Sequence, residues 1–201
     1  MRILFFLLIS LMMLSCEKVD VKKIMPADQR VTVLIQPFQD MRSADVSAIA
    51  ARVKKFCPNV RILEPVSFPA NAYYKPRNRY RADSIIKHFQ STARRNTVIL
   101  ALTGKDISAT KGKNPDFGLM GLAFSPGKAC VASSFRLKKN KKNEQHFKVA
   151  IHELGHTQGL PHCPEKTCFM RDAEGGNPTD EETDFCVKCK SHLKNRNWNF
   201  N

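Results

Sequence analysis

The chain has 201 residues, 42% of them hydrophobic and 25% charged, which suits one globular domain whose core needs no staples. Its 33 Lys and Arg against 18 Asp and Glu give a net charge of +15, a surface that favours acidic partners such as anionic lipid headgroups, nucleic acid or acidic peptides. The basic residues are dispersed, clustering at Arg77–Arg81, Lys138–Lys142 and Lys188–Arg196 without the aromatic interleaving of single-strand binders, so no specific nucleic-acid partner is expected.

From the N-terminus, Met1-Arg2 is followed by an apolar run from Ile3 to Leu14 and then Ser15-Cys16. One positive charge, a short apolar core and a small residue at the cleavage point have the form of a secretory signal. The run is too short to cross a bilayer, which takes about twenty apolar residues. Cys16 after Leu14-Ser15 resembles the lipobox of bacterial lipoproteins, with Met13 standing where Leu is usual; an ordinary signal with a coincidental Cys is the alternative. The expectation is a signal over residues 1–15, lipidation at Cys16, a polar tether over 16–29, and an exported bacterial lipoprotein anchored to a membrane.

Beyond the tether, Arg30 to Pro37 is a β-branched run closed by Pro and predicts a buried strand. Ala44 to Phe56 places Val46, Ile49, Ala50, Val53 and Phe56 at helical spacing, and Val60 to Leu63 predicts a second strand. Ser67 to Arg79 reads as a loop, Tyr80 to Ala93 as a helix with Ala82, Ile85, Ile86 and Phe89 inward, and Val98 to Leu102 as a third strand. Alternating strands and helices imply a partly parallel sheet with helices packed against it. Lys105 to Lys113 is polar and predicts a loop. Gly118 to Phe124 and Ala129 to Phe135 predict a hairpin across Ser125-Pro126-Gly127-Lys128, and Lys138 to Asn143 a solvated basic loop.

Phe147, Ala150, Ile151 and Leu154 then mark the apolar face of a helix that carries His152-Glu153-Leu154-Gly155-His156, continued by Gly159 and His162. This is H-E-x-x-H extended to x-x-G-x-x-H. Four residues apart on a helix, His152 and His156 share a face and can reach one ion. Glu153 beside them can touch water without ligating, Gly159 permits a sharp turn, and the turn returns His162 as a third ligand. The pattern is that of a zinc site.

Seven cysteines need an explanation, and four of them form two close pairs, Cys163 with Cys168 and Cys186 with Cys189. That arrangement fits a tetrahedral structural zinc site; two disulfides, which an oxidising compartment would favour, are the competing reading. Cys57 and Cys130 are buried thiols or one disulfide, and His88, His146 and His192 are surface or core residues. For Met170 a core thioether with no relation to the metal is the alternative to a role beneath it.

Taken together, His152, Glu153, His156, Gly159, His162, Cys163, Cys168, Met170, Cys186 and Cys189 resemble the archaemetzincin family. The spacer between Met170 and Cys186 is two residues shorter than the family pattern, within a polar loop that should tolerate it. The lipoprotein signal is a second departure. The resemblance implies a metzincin-like α/β (α+β) fold: a mixed twisted sheet with backing helices and an active-site helix over 30–159, then a small C-terminal subdomain over 160–201 with a four-cysteine zinc site. It implies two zinc ions, a catalytic one on His152, His156 and His162 and a structural one on Cys163, Cys168, Cys186 and Cys189, with Met170 as the Met-turn. Glu153 would be the general base of peptide-bond hydrolysis by zinc-activated water, acting on a peptide or protein substrate. The edge of the Gly118–Phe124 strand is the candidate substrate platform. A zinc-binding lipoprotein without proteolytic activity is the other reading.

Overall fold

The computed structural model describes residues 31–196 and 198–200. The signal, Cys16 and the tether over 16–29 therefore lie outside the described residues. In the main sheet β1 (Thr32–Pro37), β5 (Thr97–Thr103) and β9 (Ala129–Ser133) run parallel side by side. The strand β2 (Val60–Ile62) pairs parallel outside β1, and β8 (Gly121–Ala123) pairs antiparallel outside β9, giving the order β2-β1-β5-β9-β8.

Side chains of the three central strands divide strictly by alternation. Val33, Ile35, Leu100, Leu102, Cys130 and Ala132 point to one face, beneath α1 (Ser43–Val53) and α3 (Lys142–Thr157). Ile99, Ala101, Ala129 and Val131 point to the other, beneath α2 (Ala82–Thr92). Strands covered on both faces read as unbroken apolar runs, which is why these three stand out in the sequence. The expected α/β architecture of a partly parallel sheet with backing helices is therefore present.

A second sheet was not anticipated. It has the order β3-β4-β6-β7, from β3 (Tyr73–Tyr74), β4 (Arg79–Arg81), β6 (Ile107–Lys111) and β7 (Asn114–Leu119). The segment expected to be a polar loop, Lys105 to Lys113, contains its central strand. The polarity is misleading because part of it is interior: Ser108 is buried, and Asp106 is buried 3.1 Å from Arg79 and 2.9 Å from Arg136. Tyr80, expected to open a helix, instead pairs with Ile107 in β4, and α2 starts at Ala82. The supposed loop at Ser67–Arg79 holds β3 and two short 3₁₀ turns. The supposed basic loop at Lys138–Asn143 is a 3₁₀ turn, Lys139–Lys141, leading directly into α3.

The single strand expected over Gly118–Phe124 divides at Met120. Its first half belongs to β7 and pairs with β6, while β8 forms the expected hairpin with β9. A change of sheet inside one apolar run leaves no mark on polarity, so periodicity alone could not locate it. The C-terminal helix α4 (Val187–Lys194) was also unforeseen; it carries Cys189, and His192 donates from Nε2 to the Gln158 carbonyl at 3.0 Å, docking it on the end of α3.

His146 on α3 is a buried core histidine, its Nε2 3.1 Å from the Ala132 carbonyl. Burial holds its pKa down at about 4, against roughly 6.5 in an unfolded chain. Between those values the unfolded chain binds the extra proton, so stability is lost as pH falls from about 6.5 to about 4, by on the order of 3 kcal/mol from this residue. Chemical denaturation of wild type and His146→Gln across pH 4–7 is expected to show a shallower decline in the variant; parallel declines would discount His146 as a source of acid lability.

Candidate metal centre and cleft

Helix α3 buries Phe147, Ala150, Ile151 and Leu154 against the main sheet and turns His152 and His156 to the other side. It closes where expected: Gly159 adopts φ +89°, its N–H bonds to the His156 carbonyl at 2.8 Å, and Leu160 N–H returns to Gly155 O at 3.2 Å. The turn brings His162 round, with ring centroids 5.4 Å from His152 and 4.8 Å from His156.

The hydrogen bonds of these imidazoles decide what the site can hold. His152 Nδ1 lies 2.6 Å from the Phe169 carbonyl and His156 Nδ1 lies 2.7 Å from the Leu160 carbonyl. A carbonyl only accepts, so both Nδ1 atoms carry the hydrogen and both Nε2 atoms present lone pairs. Those Nε2 atoms face each other at 3.0 Å. Burial depresses the pKa of His152 to about 3 and also lowers that of His156, so protonation does not relieve the repulsion near neutral pH. A cation does. Tetrahedral zinc with bonds of roughly 2.0–2.1 Å sets its nitrogens about 3.3–3.4 Å apart, close to what is observed. The three ligand atoms of His152, His156 and His162 all lie within 4.8 Å of one another.

The four clustered cysteines also converge. Their sulfurs lie mutually within 4.8 Å, with Cys163 and Cys186 3.7 Å apart, and all four are free thiols. A disulfide needs about 2.05 Å. Zinc with Zn–S bonds of roughly 2.3 Å has a tetrahedral S···S edge of about 3.8 Å. Burial pushes Cys168 up to about 11 and raises Cys189, which its neighbours Cys168 and Cys186 raise further, so as thiolates the group needs a divalent ion. Backbone N–H groups of Met170 and Cys186 already point at Cys168 Sγ, at 3.5 and 3.3 Å. The donor set fits zinc. Cys57 and Cys130, by contrast, are buried free thiols of the main core, and burial raises both.

The two clusters share a frame. Cys163 N–H bonds to the Met170 carbonyl at 2.8 Å, and Phe169, whose carbonyl orients His152, receives Asp184 O at 2.9 Å on its own N–H. Met170 is fully buried with its sulfur against Gly155, between the two helical histidines; a Cβ at Gly155 would overlap it. Glu153 is buried on the opposite flank against β8, where a Cβ on Gly121 would collide with its carboxylate. Burial raises the Glu153 carboxyl to about 8.

His152, Glu153, His156 and His162 line one cleft of about 610 Å³, bounded by Phe117–Ala123 on one side and by the loop after Met170 on the other. His152, Glu153, His156 and His162 therefore gather at the cleft and the four cysteines in a cluster of their own, with Met170 packed against Gly155 of α3. Sequence reasoning missed Asp172, whose Oδ2 lies 3.2 Å from His162 Nδ1. It also missed Gly121, whose lack of a side chain lets Glu153 seat on the strand. Nothing in their spacing marks either one, because each acts across the fold.

Residues 44–195 match the sequence model of peptidase family M54. The chain is 31% identical over 159 residues to an archaemetzincin of Methanopyrus kandleri, covering 77% of this chain and 89% of that one. The crystal structure of archaemetzincin from that organism superposes with a TM-score of 0.72 at 25% identity, covering 86% of this chain and 98% of the other. The archaemetzincin of Archaeoglobus fulgidus, complexed with malonate, superposes with a TM-score of 0.69 at 30% identity, covering 81% and 99%.

Zinc uptake tests the donor sets directly. The metal-free protein is expected to bind two equivalents. Asp172→Asn should weaken one by about tenfold to a hundredfold, as loss of a carboxylate behind a ligating histidine does, and Cys189→Ser should weaken the other. Competition against a chromophoric chelator reads both; one equivalent, or none, would rule out the pair of sites.

Proposed function

The chain belongs to peptidase family M54 and groups with the archaemetzincins, and from that premise we propose that it hydrolyses peptide bonds with a catalytic zinc on His152, His156 and His162. The observation that carries the reading is the pair of facing Nε2 lone pairs, fixed by the Phe169 and Leu160 carbonyls, with a buried carboxylate beside them in the same cleft. A bound zinc would supply Lewis acidity, polarising the scissile carbonyl and making water a stronger acid.

The chain's own residues do the rest. Glu153 takes the proton of the attacking water on its carboxylate and passes it to the leaving amine. Its burial suits this role, since a base works best with a pKa near the operating pH, and a cation nearby draws it down from about 8. Gly121 keeps β8 close enough to fix the carboxylate. The outer edge of β8 is unpaired among the described residues, so an extended peptide can add to it as a strand across the cleft. Met170 supports the helix from beneath, and the structural zinc on Cys163, Cys168, Cys186 and Cys189 holds the loop that carries it.

Purified residues 17–201 and their Glu153→Gln variant are expected to hold the same zinc, with peptide cleavage reduced at least a hundredfold in the variant. Equal cleavage by both would end the general-base assignment. We also propose that the mature chain is tethered to a membrane through lipid on Cys16, on the support of the apolar run Ile3–Leu14 and Ser15 before it. The full chain expressed in bacteria should partition into detergent and Cys16→Ala should not; aqueous partition of both would refute the tether.

A further inference from the structure

The cleft contains a second buried carboxylate that the hydrolytic mechanism does not use. Glu182 is only 3% exposed, lines the same cavity as His152 and Glu153, and has no hydrogen bond or ion pair on its carboxylate among the described residues. Its oxygens are not among the sealed-off unpaired atoms of the interior, so they open onto the cavity and can be met by a donor there. Its surroundings make the omission sharper, because two cations nearby are already engaged. Lys148 Nζ donates to the Thr179 carbonyl at 2.8 Å and pairs with Glu144 at 3.0 Å, and Arg171 pairs with Glu181 at 2.6 Å.

The wall that carries Glu182 is built, not draped. Asn177 donates to Gln145 Oε1 at 3.2 Å, Gln145 donates to Asp180 at 2.9 Å, and Thr179 Oγ1 donates to Asn177 at 2.7 Å, which bolts residues 177–180 to α3. On its other side the segment joins the cysteine cluster through Thr183 N–H to Thr167 O at 2.8 Å and the bridge between Cys168 and Asp184. Glu182 is thus held rigidly in the cavity wall. Lys148, which lines that cavity too, is one helical turn before His152, so this part of the cleft flanks the site where a peptide would be cut.

We propose that Glu182 is the specificity-determining residue of the cleft, its carboxylate receiving the ammonium or guanidinium of a lysine or arginine side chain on the bound peptide. This rests on the peptidase reading above. Burial leaves the empty carboxyl near 7, despite the pull of Lys148 and Arg171. An arriving cation that donates hydrogen bonds supplies the missing charge and the missing donors together. A neutral side chain of the same length leaves the carboxylate buried and unpaired, the circumstance in which sites reject analogues most strongly.

Zinc-loaded protein carrying Glu153→Gln, so that nothing is cut, is titrated with two peptide pools identical except for lysine or norleucine at one varied position. The lysine pool is expected to bind at least tenfold tighter. Adding Glu182→Gln should erase that difference, whereas Glu182→Asp, which keeps the carboxylate, should retain it. Equal binding of the pools, no binding of either, or a lysine preference that survives Glu182→Gln overturns the proposal. Failure of the peptidase reading is a separate result: the wild-type protein would bind the lysine pool and leave it uncut.

Discussion

Two nitrogen lone pairs held 3.0 Å apart are an unfavourable arrangement, and the architecture around them exists to enforce it. Left alone, His152 and His156 would rotate, or one would share a proton with the other. Neither happens, because each ring is fixed from behind by a backbone carbonyl. Those carbonyls come from different places: Leu160 from the turn that ends α3, and Phe169 from the strand-like segment beyond the third histidine. The geometry of the site is therefore set by the chain on both sides of it, and it suits a cation between the two nitrogens.

That constraint explains why the cysteine cluster stands where it does. The Phe169 carbonyl can hold His152 only if the segment 168–170 stays in register, and this segment is short, irregular and close to the surface loop 171–184. Four sulfurs placed to share one ion stand at both of its ends, at Cys163 with Met170 and at Cys168 with Cys186. A short irregular segment of this kind has little regular backbone pairing to order it, the setting in which a structural metal is useful. Phe169 and Phe185 do add an aromatic cluster with Phe56 and Phe147, but that cluster orients the segment against α1 and α3 without setting its register. The histidine and cysteine clusters are mechanically one unit.

What the sequence made legible follows the same division. His152, Glu153, His156 and His162 were readable because their chemistry is carried by local spacing on a helix and a turn, and the cysteine pairs for the same reason. The central strands were readable because burial on both faces leaves unbroken apolar runs. The second sheet was not, since β6 carries a buried Ser108 among polar residues and follows the ion-paired Asp106, and only the distant Arg79 and Arg136 reveal that this stretch is interior. Asp172, Gly121 and Glu182 share that property. Each matters through a partner, or the want of one, that is far away along the chain.

The chain's net charge of +15 gives the last step its force. A protein so rich in Lys and Arg has no difficulty supplying a cation to a buried carboxylate, and it does so for Asp45, Asp106 and Asp116, each of which has an arginine in contact. Glu153 and Glu182 are the buried carboxylates in the cleft wall without such a partner. Desolvation raises both, to about 8 and about 7, so each stands ready to gain from positive charge that the protein itself withholds. For Glu153 the nearest source would be an ion held by the three histidines. For Glu182, across the cleft and tied to the loop after Met170, the remaining source is the ligand. A basic protein that leaves two acids unpaired in one cavity has set that cavity apart from its own surface, and has made it receptive to cations there while the exterior attracts anions.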